Sequence, residues 1–246
     1  MIRKALNSDS SNLFAEDGLD LGGPARIHDK GDLTLTENSV ESFAAIEKAV
    51  DTTLQAGHHP LISLGGDHSV TFPVVRAFHR QFPDLTILHF DAHPDLYLDF
   101  EGNPHSHASP FARIMEGGFA RRLVQVGIRT MNSHQMEQAA KLGVEVISMR
   151  NLSTFAGLRL DGPLYISFDF DVLDPAFAPG VSHHEPGGLS VREALTFIQS
   201  IQARIVGADI VEYSPLRDRD NVTAMVAAKV LKEIAAGMLR RDGSWV

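Results

Sequence analysis

The sequence predicts an α/β fold of three layers, in which helices cover both faces of a mostly parallel sheet. Short apolar runs alternate along the chain with amphipathic stretches of helix length, as expected for strands joined by helical crossovers. In addition, acidic residues and histidines follow three of the apolar runs, and ligands in such folds gather at the carboxyl ends of strands.

Six short apolar runs are the predicted strands, at residues 60–64, 85–90, 123–128, 144–148, 164–170 and 204–211. The predicted helices are the amphipathic stretches at residues 39–55, 70–81, 110–116, 133–142, 190–202 and 220–239. In the last helix, apolar residues between Val222 and Met238 recur mostly every three or four positions, which indicates a face packed on the core. His89, which points away from Phe90 in the second strand, is interpreted as a core histidine with satisfied hydrogen bonds.

The length and composition are those of a single domain. With 246 residues and 43% hydrophobic content, the chain can bury one large core, so we expect one domain over residues 1–246. Its formal net charge of -9 counts against a nucleic-acid partner, which would need clustered Lys and Arg to neutralise phosphates. Because the chain has no cysteine, catalysis and metal binding must use His, Asp and Glu.

No segment of the chain predicts insertion into a membrane. Residues 1–11 contain no apolar core of the kind that a signal peptide needs, and no apolar run approaches the ~20 residues that span a bilayer. We therefore expect no membrane partner and a cytoplasmic location.

Clusters of acidic residues and histidines follow three of the predicted strands, at residues 65–69, 91–95 and 169–171. Alternate side chains share one face of an extended chain, so Asp91, His93 and Asp95 converge if the chain stays extended beyond the strand. Asp169 and Asp171 have the same spacing. One such pair alone is more often a turn or a helix cap, but three clusters at three strand ends indicate a ligand site.

The clustered carboxylates predict a metal site, because carboxylates in one cleft repel each other unless cations neutralise them. Carboxylate oxygens with a minority of imidazole nitrogens favour manganese over zinc, which prefers more nitrogen or sulfur. Two ions fit better than one, because six ligands with two shared carboxylates can saturate a pair and leave a bridging position for water. The predicted metal ligands are His68, Asp91, His93, Asp95, Asp169 and Asp171.

Further side chains are candidates for the substrate side of this site. His105 and His107 follow the second cluster, where one of them could pass protons to a leaving amine, and we favour His107 because imidazole changes charge near neutral pH. His183 and His184 follow the third cluster and are equally consistent with a pocket or a surface position. Glu212 follows the last strand, where a carboxylate can bind a planar cation through two hydrogen bonds, the alternative being an ordinary strand-end charge.

The acidic clusters lie in segments that resemble a known family. Gly-Gly-Asp-His-Ser at 65–69, Asp-Ala-His-Pro-Asp at 91–95 and Ser-Phe-Asp-Phe-Asp-Val-Leu-Asp-Pro at 167–175 resemble the three signatures of the arginase/agmatinase ureohydrolase family. The plant arginase branch and its bacterial relatives are most similar, through the segments 100–103, 106–108 and 180–183. The resemblance covers nearly the whole chain and implies an arginase-like fold.

The resemblance also implies two Mn²⁺ per chain. In the family pattern one ion is held by His68, Asp91, Asp95 and Asp169. The other ion is held by Asp91, His93, Asp169 and Asp171, so that Asp91 and Asp169 bridge the pair.

The implied reaction is attack on the guanidinium carbon by a hydroxide that bridges the two ions. The implied catalytic residues are Asp95, which steers the hydroxide, His107, which relays a proton to the leaving amine, and Glu212, which binds the guanidinium group. Urea and an amine are the products, and the implied assembly is a homo-oligomer, either a trimer or a hexamer.

Two departures from the family pattern affect these expectations. Arginases of the animal type bind the α-amino group through an aspartate at a position where this chain has Asn132, so we expect agmatine, cleaved to urea and putrescine, as the substrate. The alternatives are L-arginine, cleaved to ornithine, another guanidino or formimino compound, or a catalytically silent relative that binds a polyamine or stabilises a partner. The predicted substrate-binding residues are Glu212, Asn132 and His183.

The chain also begins after the point at which family members carry a first strand, and we expect that strand to be absent.

Overall fold

The computed structural model describes residues 1–23, 27–57 and 60–241, the last residue in its backbone only. In this part of the chain six strands form one parallel sheet in the order β1-β6-β5-β2-β3-β4. The strands are β1 (Leu61–Leu64), β2 (Thr86–Phe90), β3 (Arg122–Ile128), β4 (Glu145–Ser148), β5 (Pro163–Asp169) and β6 (Arg204–Val211). The helices are α1 (Ile2–Leu6), α2 (Ser39–Gln55), α3 (Thr71–His79), α4 (Pro110–Glu116), α5 (Ser133–Leu142), α6 (Val191–Ser200) and α7 (Val222–Arg241).

The predicted α/β class is confirmed, and each predicted strand and helix is present with ends shifted by at most two residues. The fifth strand ends one residue early, at Asp169, because Phe170–Val172 forms a 3-10 turn capped by the Asp169 side chain. Four described elements were not predicted: the short helix α1 and the 3-10 segments His68–Val70, Met149–Gly157 and Phe170–Val172. Helix α1 is held by packing, since Ala5 lies among small residues of α7.

Apolar side chains cover both faces of the sheet, as in parallel sheets buried between helices. On one face Leu88 and Ile166 belong to a core that includes residues of α6 and α7. On the other face Ile87 and Tyr165 belong to a core that includes residues of α2, α3 and α4. No helix in the described ranges is long and apolar enough to cross a bilayer.

The strand order determines which loops meet. All strands run in the same direction, so their carboxyl ends share one edge of the sheet, and β1, β6, β5 and β2 are consecutive neighbours. The segments that follow these four strands contain the three acidic clusters and Glu212. The topology therefore brings together at one edge residues that are up to 144 positions apart in sequence, such as His68 and Glu212.

Gly127 allows β3 to pass close to the second acidic cluster. Its φ is +99°, and the register between β3 and β4 shifts at this position. A Cβ atom here would lie 2.9 Å from the backbone oxygen of Asp91 and 2.5 Å from Val172 Cγ2, which is closer than real Cβ contacts. Only glycine adopts this backbone conformation without strain and leaves room for Asp91.

Candidate metal centre

The first group of converging side chains surrounds His68, in the 3-10 turn that follows β1. Its Nδ1 atom lies 3.1 Å from Asp91 Oδ2, 3.1 Å from Asp95 Oδ2 and 3.2 Å from Asp169 Oδ2. All four side chains are buried. Three separate segments therefore place one imidazole nitrogen against three carboxylate oxygens.

The second group surrounds His93, which is partly exposed. Its Nδ1 atom lies 3.0 Å from Asp171 Oδ2 and 3.4 Å from Asp91 Oδ1. The other oxygen of Asp171 accepts a hydrogen bond from the backbone N–H of Ala92 at 3.0 Å, which fixes the carboxylate. Asp91 thus presents one oxygen to His93 and the other to His68.

Tight turns, not extended chain, produce this convergence. The backbone N–H of His93 donates to Asp91 Oδ1 at 2.6 Å, and the backbone N–H of Asp171 donates to Asp169 Oδ1 at 2.8 Å. Asp95 has a φ of 49°, in the left-handed region that few residues other than glycine adopt. The side chains therefore converge without the extended chain on which the sequence argument made their convergence conditional.

A row of four buried polar side chains crosses the sheet just before the ligand positions. It consists of Asp209, Ser167, His89 and Gln125, on the adjacent strands β6, β5, β2 and β3, and we call it the polar row. His89 precedes Asp91 by two positions, as Ser167 precedes Asp169, so each shares a strand face with a ligand candidate. The polar row therefore lies next to the candidate centre, one side-chain position before it on the same face of the sheet.

Part of the polar row orients His68. The hydroxyl of Ser167 donates to Asp209 Oδ1 at 2.7 Å, and the hydroxyl of Tyr165 donates to Asp209 Oδ2 at 2.7 Å. Because its proton is used in this way, Ser167 Oγ accepts from His68 Nε2 at 2.9 Å. The proton of a neutral His68 ring then lies on Nε2, and the lone pair of Nδ1 faces the three carboxylates.

This arrangement fits a bound cation. Within the described part of the chain no group makes a hydrogen bond to His68 Nδ1, although three carboxylate oxygens lie within 3.2 Å. Buried polar atoms without a partner are rare in proteins and need an explanation. A divalent cation would satisfy the nitrogen and the carboxylates together, and imidazole and carboxylate are both suitable ligands.

The pKa values in the two groups show that the clustered carboxylates favour the binding of protons or cations. Burial raises the pKa of Asp95 to about 6, and the charge of Asp91 acts in the same direction. Burial and neighbouring carboxylates also raise the pKa values of Asp169 and Asp171. Burial alone would lower the pKa of His93, but hydrogen bonds to Asp171 and Asp91 raise it to about 12. Binding of cations here must therefore displace protons.

Glu212 borders the first group and connects the turn of His68 with the segment that contains Ser182. Its backbone has a φ of 61°, and its N–H donates to the Gly66 carbonyl at 2.9 Å. The carboxylate accepts from the backbone N–H of His68 at 2.9 Å and from the hydroxyl of Ser182 at 3.3 Å. The Ser182 hydroxyl also lies 3.0 Å from His183 Nδ1. A residue in a rare backbone conformation is thus held beside the candidate ligands, as is common in active sites.

Predicted substrate-side histidines form a row of rings beside the second group. The ring centroids of His93 and His183 are 5.6 Å apart, those of His183 and His107 are 5.9 Å apart, and those of His107 and Phe100 are 5.6 Å apart. We call these four rings the ring wall. The structure therefore brings His107 and His183 together next to a candidate metal ligand.

Asn132 lies beyond the far end of the ring wall and caps helix α5. Its side-chain oxygen accepts from the backbone N–H of Gln135 at 3.0 Å, and its side-chain nitrogen donates to the Tyr97 hydroxyl at 2.7 Å. Tyr97 in turn lies 5.5 Å from the ring of Phe100. These contacts give Asn132 a helix-capping role, and its proposed contact with substrate stays a prediction.

His105 and His184 lie outside the ring wall. The ring of His105 packs 5.5 Å from Phe72 and 5.8 Å from Phe43, between α2 and α3. The Nε2 atom of His184 lies 2.8 Å from the Pro179 carbonyl oxygen. The contacts of both side chains are thus explained without the candidate centre.

Asp209, Ser167 and Gln125 were not predicted from sequence. The sequence contains a signal for Asp209 and another for Ser167. A charged residue inside the apolar run 204–211 must be paired to be buried, and Asp209 is such a residue. Ser167 lies two positions before Asp169 in a predicted strand and so shares its face.

His89 is a buried, hydrogen-bonded histidine as predicted, and burial lowers its pKa to about 4.

Arg129 ties the third acidic cluster to the segment that carries His183. Its guanidinium group donates to the backbone carbonyls of Asp171 at 2.7 Å and Glu185 at 2.6 Å. Burial lowers its pKa. The positively charged guanidinium group of Arg129 is therefore held by backbone carbonyl oxygens next to the third acidic cluster.

Comparison with known proteins identifies relatives over nearly the whole chain. Residues 1–237 match the family model described as "Arginase family". The mitochondrial arginase of Medicago truncatula is 49% identical over 252 residues, which cover 96% of this chain and 75% of that protein. The agmatinase of Bacillus subtilis (strain 168) is 36% identical over 219 residues, which cover 86% of this chain and 75% of that protein.

Solved structures of relatives have the same fold. Arginase from Medicago truncatula superposes with a TM-score of 0.92 at 49% identity, over 96% of this chain and 79% of that chain. Formimidoylglutamase from Bacillus subtilis superposes with a TM-score of 0.84 at 27% identity, over 96% of this chain and 79% of that chain. The arginase-like fold implied by the sequence is therefore confirmed.

The names of the relatives correct one expectation and weaken another. Relatives from Medicago truncatula and Arabidopsis thaliana are named as mitochondrial or chloroplastic arginases, so the expected cytoplasmic location is wrong. That expectation considered only apolar signal segments, whereas organellar transit peptides are amphipathic and rich in Arg and Ser. The relatives with 45–49% identity are arginases, so they do not support the preference for agmatine.

A family match and individual relatives both support one assignment. The family match spans residues 1–237, and relatives reach 49% identity over 96% of the chain. The chain belongs to the arginase family of ureohydrolases.

Proposed function

We propose that this chain is a manganese-dependent enzyme that hydrolyses L-arginine to urea and ornithine. The family depends on a binuclear metal centre, and its substrates are guanidino compounds. The structural observation that carries the proposal is that Asp91 presents one oxygen to the His68 group and the other to the His93 group. Arginine is favoured over agmatine because relatives at 45–49% identity are arginases, against 36% for an agmatinase.

Two sets of side chains would hold the two ions. The first set is His68, Asp91, Asp95 and Asp169. The second set is Asp91, His93, Asp169 and Asp171, with Asp91 and Asp169 shared. Carboxylate oxygens outnumber imidazole nitrogens in both sets, which favours manganese. When bound, the ions would supply Lewis-acid activation of water near neutral pH.

Three residues of the chain act on the substrate and the water. Glu212, fixed by the backbone N–H of His68, binds the planar guanidinium group through charge-assisted hydrogen bonds. Asp95, buried in the His68 group, orients the attacking water. His107, in the ring wall, passes a proton to the leaving nitrogen.

The reaction conserves charge. The oxygen of water forms a bond to the guanidinium carbon, and the bond from that carbon to the side-chain nitrogen of the substrate breaks. Both protons of the water end on the leaving nitrogen. The products are neutral urea and an alkylammonium group that carries the positive charge of the original guanidinium.

Urea release tests the proposal. The purified protein is loaded with Mn²⁺ and assayed with L-arginine, agmatine, guanidinobutyrate and a formimino compound, and protein stripped of metal by a chelator is the control. We expect urea from L-arginine with the highest kcat/KM and no activity in the stripped protein. A higher kcat/KM for agmatine would replace the proposed substrate, and no product from any of the four compounds would refute the activity.

Metal analysis distinguishes an enzyme from a catalytically silent relative. We expect two ions per chain after Mn²⁺ loading and removal of free metal. A silent polyamine-binding or partner-stabilising protein has no reason to retain two ions. One ion or none would contradict the binuclear centre independently of any assay of turnover.

The affinity of the stripped protein for Mn²⁺ is expected to fall as pH falls from 7.5 to 5.5. His93, whose pKa is raised to about 12, is protonated throughout this range and must lose its proton on binding. Each displaced proton weakens binding about tenfold per pH unit. Below pH 6 Asp95 also becomes protonated, so the decline steepens.

Calorimetry in two buffers with different heats of ionisation measures the number of protons released on binding. The variant Asp95→Asn is the matched control, because it lacks the additional decline near pH 6. An affinity for Mn²⁺ that does not change over this pH range would contradict the charge assignment.

The trimer or hexamer implied by the family stays a prediction. The molar mass of the protein in solution, measured by light scattering during size-exclusion chromatography, tests it.

A further inference from the structure

His89 is the member of the polar row that lies closest to the shared carboxylate. Its Nε2 atom lies 2.8 Å from Asp91 Oδ2, the oxygen that also faces His68. On the other side of the ring, Nδ1 lies 3.1 Å from the Gln125 side-chain nitrogen. The ring packs against Phe111, with centroids 3.9 Å apart, and is fully buried. Both ring nitrogens therefore have a defined partner.

The backbone carbonyl of Pro94 determines the tautomer of this ring. Gln125 Nε2 lies 2.6 Å from the Pro94 oxygen, which can only accept a hydrogen bond. The amide nitrogen, not the amide oxygen, must therefore face both Pro94 and His89. Because Gln125 donates to Nδ1, the proton of the neutral His89 ring lies on Nε2, where it is donated to Asp91.

His89 could instead be a metal ligand, because its ring nitrogen, a nitrogen of His68 and an oxygen of Asp91 all lie within 4.8 Å of one another. A metal ligand needs a free lone pair on the nitrogen that faces the ion. The hydrogen bonds above leave none, since Nδ1 accepts from Gln125 and Nε2 carries the proton. The geometry thus favours a hydrogen-bond donor over a ligand.

We propose that His89, oriented by Gln125, is a positioning residue that fixes the shared carboxylate of Asp91 through a hydrogen bond from Nε2. With Oδ2 held by this donor and Oδ1 held by the backbone N–H of His93, Asp91 cannot rotate away from the two ligand groups. Pro94 lies in the same segment as Asp91, so the contact with Gln125 also ties that segment to β3. The inference rests on the proposed metal centre.

The test compares metal affinity among variants, measured as Mn²⁺ bound per chain over a range of free Mn²⁺ set by a metal buffer. His89→Phe fills the space but removes the donor, and we expect a loss of affinity of about 10–100-fold, as is typical when a partner of a metal ligand is removed. His89→Gln can place an amide N–H at the position of Nε2, and we expect it to bind within a few fold of the unmodified protein. His79→Phe is the matched control, because His79 is the last residue of α3 and its ring contacts Phe119, and this variant should leave the affinity unchanged.

Two results would overturn the proposal. One is a His89→Phe variant that binds Mn²⁺ as tightly as the unmodified protein. The other is a His89→Gln variant that binds as weakly as His89→Phe, because a ligand or a packing role would not be restored by glutamine. If the unmodified protein itself binds no Mn²⁺, the metal centre is refuted and the role of His89 with it, whereas the two results above would refute the role of His89 alone.

The tautomer of His89 can be measured in the unmodified protein, so this second test does not depend on whether a variant folds. The protein is labelled with ¹⁵N-histidine and loaded with a diamagnetic divalent ion, and long-range ¹H–¹⁵N correlation spectra distinguish the two ring nitrogens. We expect the proton of His89 on Nε2, and a mixture of tautomers in Gln125→Leu. A proton on Nδ1 in the unmodified protein would contradict the proposal directly.

Discussion

Replacement of Asp171 by asparagine is expected to remove one of the two ions and to lower kcat more than ~100-fold. Asparagine keeps the shape of the side chain and an oxygen that can accept from the backbone N–H of Ala92. It lacks the charge of the oxygen that faces His93 at 3.0 Å. Removal of a side chain that hydrogen-bonds to a metal ligand already lowers metal affinity or activity about 10–100-fold, so loss of a ligand itself should have a larger effect.

Metal analysis and steady-state kinetics on the same sample measure both effects. Asp174→Asn is the matched control, because Asp174 lies three positions further along, is partly exposed, and accepts from the backbone N–H groups of Ala176 and Gly187. This control should retain both ions. Full metal occupancy together with normal turnover in Asp171→Asn would refute the assignment of Asp171 as a ligand.

Replacement of His107 by alanine is expected to lower kcat by about 10²–10⁴-fold while both ions are retained. This is the usual size of the contribution of a positioned proton donor. The ring of His107 packs against His183 and Phe100, whereas the imidazoles of the two ligand groups are those of His68 and His93. Its loss should therefore affect proton transfer and leave metal binding intact.

The experiment compares kcat at saturating arginine with the number of ions per chain. His134→Ala is the matched control, since His134 stacks on Tyr97 at 5.7 Å, beyond the end of the ring wall, and has no proposed role. We expect its kcat to change less than twofold. Loss of an ion in His107→Ala would show that the histidine supports the centre itself, and an unchanged kcat would exclude it as the proton donor.

The sequence was sufficient to predict the ligand candidates because their spacing is local. Asp91 and His93 follow β2 directly, and Asp169 and Asp171 lie at the end of β5, so finding the strands also located these clusters. The apolar runs were clear because both faces of the sheet are buried. The predicted convergence did not require the correct backbone conformation. Asp95 has a left-handed backbone, yet its carboxylate still reaches His68.

The contacts between strands could not be predicted in the same way. His89 and Gln125 are paired in the register of β2 and β3, and Ser167 and Asp209 in that of β5 and β6. Neither pairing follows from sequence spacing, because it depends on which strands become neighbours and on how they align. The helix cap formed by Asn132 was also not predicted, because a polar residue before a helix was interpreted only through the family pattern. Its predicted contact with substrate stays a prediction.

The polar row also affects how reliably the sheet assembles. A shift of one strand by one residue would turn every side chain to the opposite face, and the apolar pattern opposes such a shift. A shift by two residues keeps each side chain on its face, so the apolar pattern alone opposes it weakly. Such a shift between β5 and β6 would separate Asp209 from the Ser167 hydroxyl at a fully buried position. A buried acceptor that loses its donor costs ~1–3 kcal/mol, and more when it is charged. The residues that support the candidate metal centre therefore also select the correct strand alignment during folding, before any ion is bound.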